Sequence, residues 1–250
     1  MRGLSGKRVI VTGGASGIGR ATTLRLAEEG CIVGVLDLNE AGARETAAMA
    51  PSGAVHVYPT DITDYAAVEH AVSGFEAAHG PTELLANIAG WDLPKPFLDT
   101  TLDFWDKVIR INLYGPLHLQ HIVLRGMAAR GFGRVVNVAS DAGRVGSSGE
   151  AVYSACKGGV IAFTKTMARE LARQGITLNV LCPGPTDTPL FAQFSASAGT
   201  KLGEALTKAI PLRRLGRPED YPGTIAFLLS DDAGFMTGQT ISISGGLTMS

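Results

Sequence analysis

Tyr153 and Lys157 stand four residues apart in a segment with helical patterning, a separation that puts two side chains on one helix face. A free tyrosine has a pKa of ~10 and is a poor base at neutral pH, but a nearby ammonium stabilises its phenolate. The pair reads as a proton-transfer device, against the plainer reading of an ordinary helix surface. Ser140 lies 13 residues earlier, just after a strand-like run. Its hydroxyl can hold a carbonyl or alcohol oxygen; taken alone it reads rather as an N-cap or turn serine. A hydrolase nucleophile is disfavoured. The chain has no Gly-x-Ser-x-Gly elbow, and none of His56, His70, His79, His118 and His121 follows a strand as a partner.

A second group of residues suits a dinucleotide. Thr12-Gly13-Gly14-Ala15-Ser16-Gly17-Ile18-Gly19 follows one strand-like run and opens a helical one. Glycines at such a turn let the backbone approach a pyrophosphate at the helix N-terminus. The spacing of Gly13, Gly17 and Gly19 is Gly-x-x-x-Gly-x-Gly rather than the commoner Gly-x-Gly-x-x-Gly. Asp37 ends the second strand-like run, 18 residues after Gly19, and Leu38 rather than a base follows it. A carboxylate there accepts hydrogen bonds from both ribose hydroxyls and repels a 2′-phosphate, which predicts NAD over NADP. The competing role is an N-cap for the helix beginning at Asn39. Arg20 is expected to face outward. Asp61-Ile62 ends the third run, where an acid either bonds the adenine amino group or caps a helix in competition with Thr63 or Asp64.

These residues must be positioned by a framework, and the hydropathy pattern supplies one. Apolar, β-branched runs at 8–12, 31–36, 55–58, 83–86, 134–138, 177–181 and 240–243 read as strands buried on both faces. Helical patterns fall at about 17–29, 39–50, 64–79, 101–130, 150–173 and 218–230, with Pro116 predicting a kink or a late start in the fourth. Strands alternating with helices give right-handed crossovers and a parallel sheet. The expected fold is α/β: a Rossmann-type, doubly wound, seven-stranded parallel sheet with helices on both faces, in a single domain over 1–250. Ligands then lie at the carboxyl ends of the strands. The stretch 185–215 carries Pro185, Pro189 and Pro211 and weak periodicity, so it reads as an irregular substrate lid.

Composition narrows the classes. Hydrophobic residues are 45% and charged residues 18% of the 250, enough for a large core. Twenty-two basic against 23 acidic residues leave a net charge of −1, which argues against nucleic acid as a partner. No apolar run approaches a membrane span and no secretory leader is expected. Three cysteines, Cys31, Cys156 and Cys182, have no metal-ligand spacing and fit a reducing cytoplasm, so no metal site or disulfide is expected. Glycine, at 32 residues, is well above the usual ~7%.

Taken together, Thr12-Gly13-x-x-x-Gly17-Ile18-Gly19, Asp61, Asn87-Ile88-Ala89-Gly90, Asn112, Ser140, Tyr153-x-x-x-Lys157 and Pro183-Gly184 resemble the short-chain dehydrogenase/reductase family, over essentially the whole chain. The resemblance implies an NAD-dependent oxidoreductase interconverting a secondary alcohol and a ketone. Tyr153 would be the acid/base. Lys157 would bind the nicotinamide ribose and lower the Tyr153 pKa. Ser140 would position the reacting oxygen, and Asn112 would hold a water in a proton relay through Lys157. Asn87, Ala89 and Gly90, with Ser16 and Ile18 in the first turn, would contact the cofactor. Pro183, Gly184, Thr186 and Thr188 would sit at the nicotinamide. Ile88 replaces the family's second Asn, which puts that position's polar role in doubt.

The substrate would lie among Trp91, Asp92, Leu93, Pro94 and Lys95, among Arg144, Val145, Ser147 and Glu150, and along Pro185, Leu190, Phe191 and Phe194. Trp91, Phe191 and Phe194 wall an apolar pocket or serve as lid core or subunit contacts, with about equal weight. Lys95 and Arg144 meet an anion or are simply solvated. The runs 89–92, 140–142, 144–153, 182–188 and 244–249 resemble a branch acting on ring or acyl 3-hydroxyacyl-CoA thioesters, such as 2-hydroxycyclohexanecarboxyl-CoA. The alternatives are a broad secondary-alcohol dehydrogenase, a 3-oxoacyl-carrier-protein reductase, and a scaffold without catalysis. The last is disfavoured by the presence of Ser140, Tyr153 and Lys157. A homotetramer is implied, pairing the helices expected at 101–130 and 150–173 across one two-fold axis.

Overall fold

The computed structural model describes residues 1–198 and 201–249, apart from the side chains of 194–198, 201 and 202. The strands are β1 (Arg8–Thr12), β2 (Ile32–Asp37), β3 (Val55–Pro59), β4 (Leu84–Asn87), β5 (Gly133–Val138), β6 (Ile176–Pro183) and β7 (Thr240–Ile243). They form one sheet in the order β3-β2-β1-β4-β5-β6-β7, with every neighbouring pair parallel. The chain order reverses between β1 and β4. That crevice is where a doubly wound sheet opens for a ligand.

Strand side chains alternate between faces, and the two apolar clusters divide accordingly. Val9, Val11, Val33, Val35, Leu84, Ala86 and Val136 point to one side. They pack there on Leu26 and Ala27 of α1 (Gly17–Glu28) and on Tyr221, Ile225 and Leu228 at α10 (Pro222–Leu229). Ile10, Leu36, Leu85, Val135 and Leu178 point to the other side. Their partners include Val68, Val72 and Phe75 of α3 (Tyr65–His79) and Leu119, Val123 and Met127 of α5 (Gly115–Arg130). Burial on both faces explains why β-branched runs rather than alternating ones marked the strands.

Two expectations about helices change. The pattern at 101–130 is not one helix. It comprises α4 (Leu102–Ile109), a π turn at Arg110–Tyr114, and α5, with Pro116 in the first turn of α5. Proline has no N–H, so it cannot donate to the carbonyl of Asn112 four residues back, and the wider turn absorbs the break. The stretch 185–215 is not irregular. It holds α8 (Pro189–Ala198) and α9 (Lys201–Ala209). Pro189 is the first residue of α8, where a missing N–H costs nothing. The other helices are α2 (Glu40–Met49), a short α6 (Ala142–Val145) that the sequence did not signal, and α7 (Ala151–Leu171). Among the described residues no helix is long and apolar enough to cross a membrane.

Candidate active site

The carboxyl ends of β1, β2, β4, β5 and β6 open into one cavity of about 1030 Å³. Its wall runs from Gly13, Ser16, Gly17, Ile18 and Gly19, past Asp37, Leu38, Asp61, Ile62, Ala89 and Gly90, to Ser140, Tyr153 and Lys157. It ends on Pro183, Gly184, Pro185, Thr186, Thr188 and Phe191.

The first turn depends on missing side chains. Gly13 has φ +75°, and a Cβ there would lie 2.9 Å from the Ala89 Cα. A Cβ on Gly19 would lie 1.9 Å from the Gly13 carbonyl oxygen. Gly17, at φ +52°, faces Thr188 across the cavity. Ser16 precedes α1 but its side chain makes no capping hydrogen bond, and no acid lies in the first turn of α1. The helix N-terminus is thus electrostatically suited to a phosphate anion. The turn fits a dinucleotide pyrophosphate.

Asp37 is not the cap of α2; Asn39 is, accepting from the Gly42 N–H at 3.1 Å. The Asp37 carboxylate accepts the Ala15 N–H at 2.9 Å and the Asn39 N–H at 2.8 Å. A carboxylate has about four acceptor positions, so two remain for a diol. Arg20 does not face outward. It donates to the Ala15 carbonyl at 2.7 Å and to Thr46 Oγ1 at 3.0 Å, and pairs with Glu45 at 3.1 Å. Its guanidinium is occupied in joining α1 to α2. At the third strand end, Asp64 caps α3 through Ala66 and Ala67, and Asp61 accepts from the Thr63 N–H at 2.8 Å. The Asp37 and Asp61 carboxylates in the wall are therefore both held by local backbone N–H groups.

At the catalytic end, the Lys157 side chain is 2% exposed overall as a residue, and its Nζ donates to the Val138 carbonyl at 3.0 Å. It lies 5.4 Å from the centre of the Tyr153 ring. Burial pulls its pKa down to about 8. The Ser140 hydroxyl lies beside the Tyr153 phenol, and Ser140 Oγ accepts the Ala142 N–H at 3.1 Å. The expected lowering of the Tyr153 pKa is not found in this structure. Burial, with the Glu150 and Asp92 carboxylates nearby, pushes the phenol above its ordinary value, and the Ser140 hydroxyl opposes that shift. Desolvating a phenolate beside two carboxylates outweighs the attraction of one distant, partly desolvated ammonium.

Asn112 sits in the π turn and is fully buried. Its side chain donates to the carbonyls of Trp91 at 2.6 Å and Val108 at 2.9 Å, and accepts the Trp91 N–H at 3.2 Å. The amide is spent on clamping the Trp91 backbone. Pro116 leaves the Asn112 main-chain carbonyl without the α-helical donor four residues on.

Three expected wall residues lie elsewhere. Asn87 points into a buried network, donating to Asn137 Oδ1 at 2.8 Å, and the cavity wall begins at Ile88. Trp91 packs edge-on against Phe104, with the Lys107 ammonium 3.7 Å from its ring centre, and is not part of the cavity wall. Arg144 is drawn back to Asp141 at 3.8 Å. The Phe194 side chain lies outside the described residues. In their place, Asp103, Asp106, Lys107 and Arg110 line the mouth. Their spacing puts them on one face of α4, a signal readable in the sequence. Leu206 and Leu247 also join the wall, brought there by α9 and the C-terminal turn without a local motif.

Residues 13–248 match the family model described as Enoyl-(Acyl carrier protein) reductase. The chain is 40% identical over 238 residues to acetoacetyl-CoA reductase of Rhizobium meliloti, covering 95% of this chain and 96% of the relative. It is 35% identical over 251 residues to (3R)-3-hydroxyacyl-CoA dehydrogenase of Homo sapiens, covering 96% and 95%. A solved 3-ketoacyl-(acyl-carrier-protein) reductase from Brucella melitensis, complexed with NADH, superposes with a TM-score of 0.91 at 28% identity, covering 98% and 100%. The chain belongs to the short-chain dehydrogenase/reductase family and is an oxidoreductase acting on CH–OH and C=O groups.

Proposed function

We propose that this chain is an NAD-dependent dehydrogenase that interconverts a ring or acyl 3-hydroxyacyl-CoA and its 3-ketoacyl-CoA. The observation that carries the reading is Ser140 beside Tyr153 and buried Lys157, in the cavity that begins at the Gly13–Gly19 turn. The relatives that act on acetoacetyl-CoA and 3-hydroxyacyl-CoA support the thioester class. Preference for NAD is supported by Asp37, by Leu38 after it, and by the local engagement of Arg20.

A nicotinamide dinucleotide bound along the wall supplies the hydride acceptor. Ser140 donates a hydrogen bond to the carbinol oxygen, and the Tyr153 phenolate takes its proton as the carbon–oxygen bond becomes a carbonyl. Lys157, charged below about pH 8 and 5.4 Å from the Tyr153 ring centre, attracts the negative charge left on the phenol, against the burial and the carboxylates that oppose it. In the reverse direction Tyr153 returns the proton to the ketone oxygen. Helices α8 and α9 serve as the lid, with Leu190, Phe191 and Leu206 on its inner side. The protein acts in the cytoplasm as a homotetramer.

A second reading, a 3-oxoacyl-carrier-protein reductase, is favoured by the likeness to the Brucella melitensis enzyme. The test is NAD reduction on 2-hydroxycyclohexanecarboxyl-CoA, on the same acyl group carried by acyl-carrier protein, and on cyclohexanol. The proposal expects the CoA thioester to lead in kcat/KM by about 100-fold, because remote contacts supply transition-state binding energy. A lead by the carrier-protein thioester establishes the second reading. Equal turnover of cyclohexanol makes the enzyme a broad alcohol dehydrogenase.

A further inference from the structure

Asp92 and Glu150 line the cavity beside Tyr153, and neither has a part in the reaction derived above. Asp92 is 7% exposed, and among the described residues no N–H or O–H donates to its buried Oδ2. The two carboxyls are in hydrogen-bond contact with each other. Their meeting is built in. The Lys95 N–H donates to the Gly149 carbonyl at 2.8 Å, tying the loop after β4 to the turn before α7. Gly149 has φ +82°, and a Cβ there would stand 3.4 Å from the Pro94 Cβ. The Ser147 hydroxyl lies near Glu150 and the Leu93 N–H near Asp92.

Resting on the thioester reading, we propose that Asp92 and Glu150 share one proton and form a specificity-determining hydrogen-bond donor for the thioester carbonyl of the substrate. Two carboxylates in contact, one buried and the other half-buried in the cavity wall, resist being charged together. The groups facing the pair are the Lys157 ammonium, the Tyr153 phenol, the Cys156 thiol, the Ser147 hydroxyl and the Leu93 N–H. Against them, burial and the Glu150 charge push Asp92 up to about 7, and burial raises Glu150 as well. A proton therefore resides on the pair at neutral pH. The resulting O–H donates to a neutral carbonyl. The remaining negative charge repels the free carboxylate left when a thioester is hydrolysed.

The donor is present below about pH 7 and is lost as pH rises. The readout is the ratio of kcat/KM for 2-hydroxycyclohexanecarboxyl-CoA to that for cyclohexanol, which has no second oxygen. Taking the ratio at each pH cancels the titrations of Tyr153 and Lys157. The wild type is expected to lose about tenfold in this ratio between about pH 6 and about pH 9, the worth of one hydrogen bond. Glu150→Gln carries a permanent N–H donor, so its ratio stays flat within about twofold. A flat wild-type ratio, or a Glu150→Gln ratio that falls as the wild type's does, overturns the proposal. Infrared difference spectra over the same pH range test the proton without turnover. The carboxylic-acid C=O band of the wild type should titrate near neutrality and be missing from the Asp92→Asn/Glu150→Gln double variant. No such band in the wild type overturns the shared proton. A titrating band with no turnover of either alcohol overturns instead the dehydrogenase reading, and the substrate half of this proposal with it.

Discussion

The chemistry of single residues here is decided by what surrounds them. Lys157 is a strong base in water, yet burial brings it to about 8, while the same burial drives Tyr153 the other way. Asp92 shows the consequence for stability. Its folded pKa, about 7, lies above the ordinary carboxylate value, so the folded state binds a proton that the unfolded chain has released. That stabilisation is present at low pH and fades as pH rises through about 7. Asp92→Asn, which cannot ionise, should therefore be more stable than the wild type at about pH 8, on the order of 2 kcal/mol by urea unfolding, and equal to it near pH 4. A gain independent of pH would contradict the assignment. The pairing of Tyr153 with Lys157 in one cavity wall was legible in the sequence because the Tyr153-x-x-x-Lys157 spacing is local. The Asp92–Glu150 contact was not, because it joins two loops 58 residues apart whose distance only the fold sets.

At the scale of elements, the polar centre of the sheet holds the site in place. Asn137 of β5 accepts from Asn87 of β4 at 2.8 Å and donates to Gln120 of α5 at 3.1 Å and to Thr164 of α7 at 2.8 Å. One side chain joins two strands to the two helices that carry the π turn and the Tyr153–Lys157 pair. Asn137→Ala leaves the Asn87 amide and the Gln120 oxygen buried without partners, and should cost about 2–4 kcal/mol in urea unfolding. A loss under about 0.5 kcal/mol would remove the network from the account. The seven strands were readable from their β-branched runs, to within a residue or two at most ends. The π turn was not, because one extra residue in a helical turn barely disturbs the apolar period, and only Pro116 hinted at it. Helices α8 and α9 were missed because prolines and small residues blur their pattern, although Pro189 at the first position of α8 is a start signal.

The whole molecule places the Gly13–Gly19 turn, Ser140, Tyr153, Lys157 and Phe191 along one cavity, and leaves apolar side chains outside. Leu98, Leu102 and Tyr114, at 93%, 74% and 46% exposure, flank α4 and the π turn. A tetramer would cover surface of this kind. Light scattering should give about four times the chain mass, and Leu102→Glu should reduce it; a monomeric wild type would contradict the proposed assembly. The direct test of the central claim is the initial rate of dinucleotide reduction on a 3-hydroxyacyl-CoA, with NAD and with NADP, for the wild type and Tyr153→Phe. The account predicts that NAD exceeds NADP by about 100-fold in kcat/KM, and that Tyr153→Phe loses at least about 100-fold in kcat while binding NAD within a few-fold. Equal use of NADP, or a Tyr153→Phe rate near the wild type's, would contradict it.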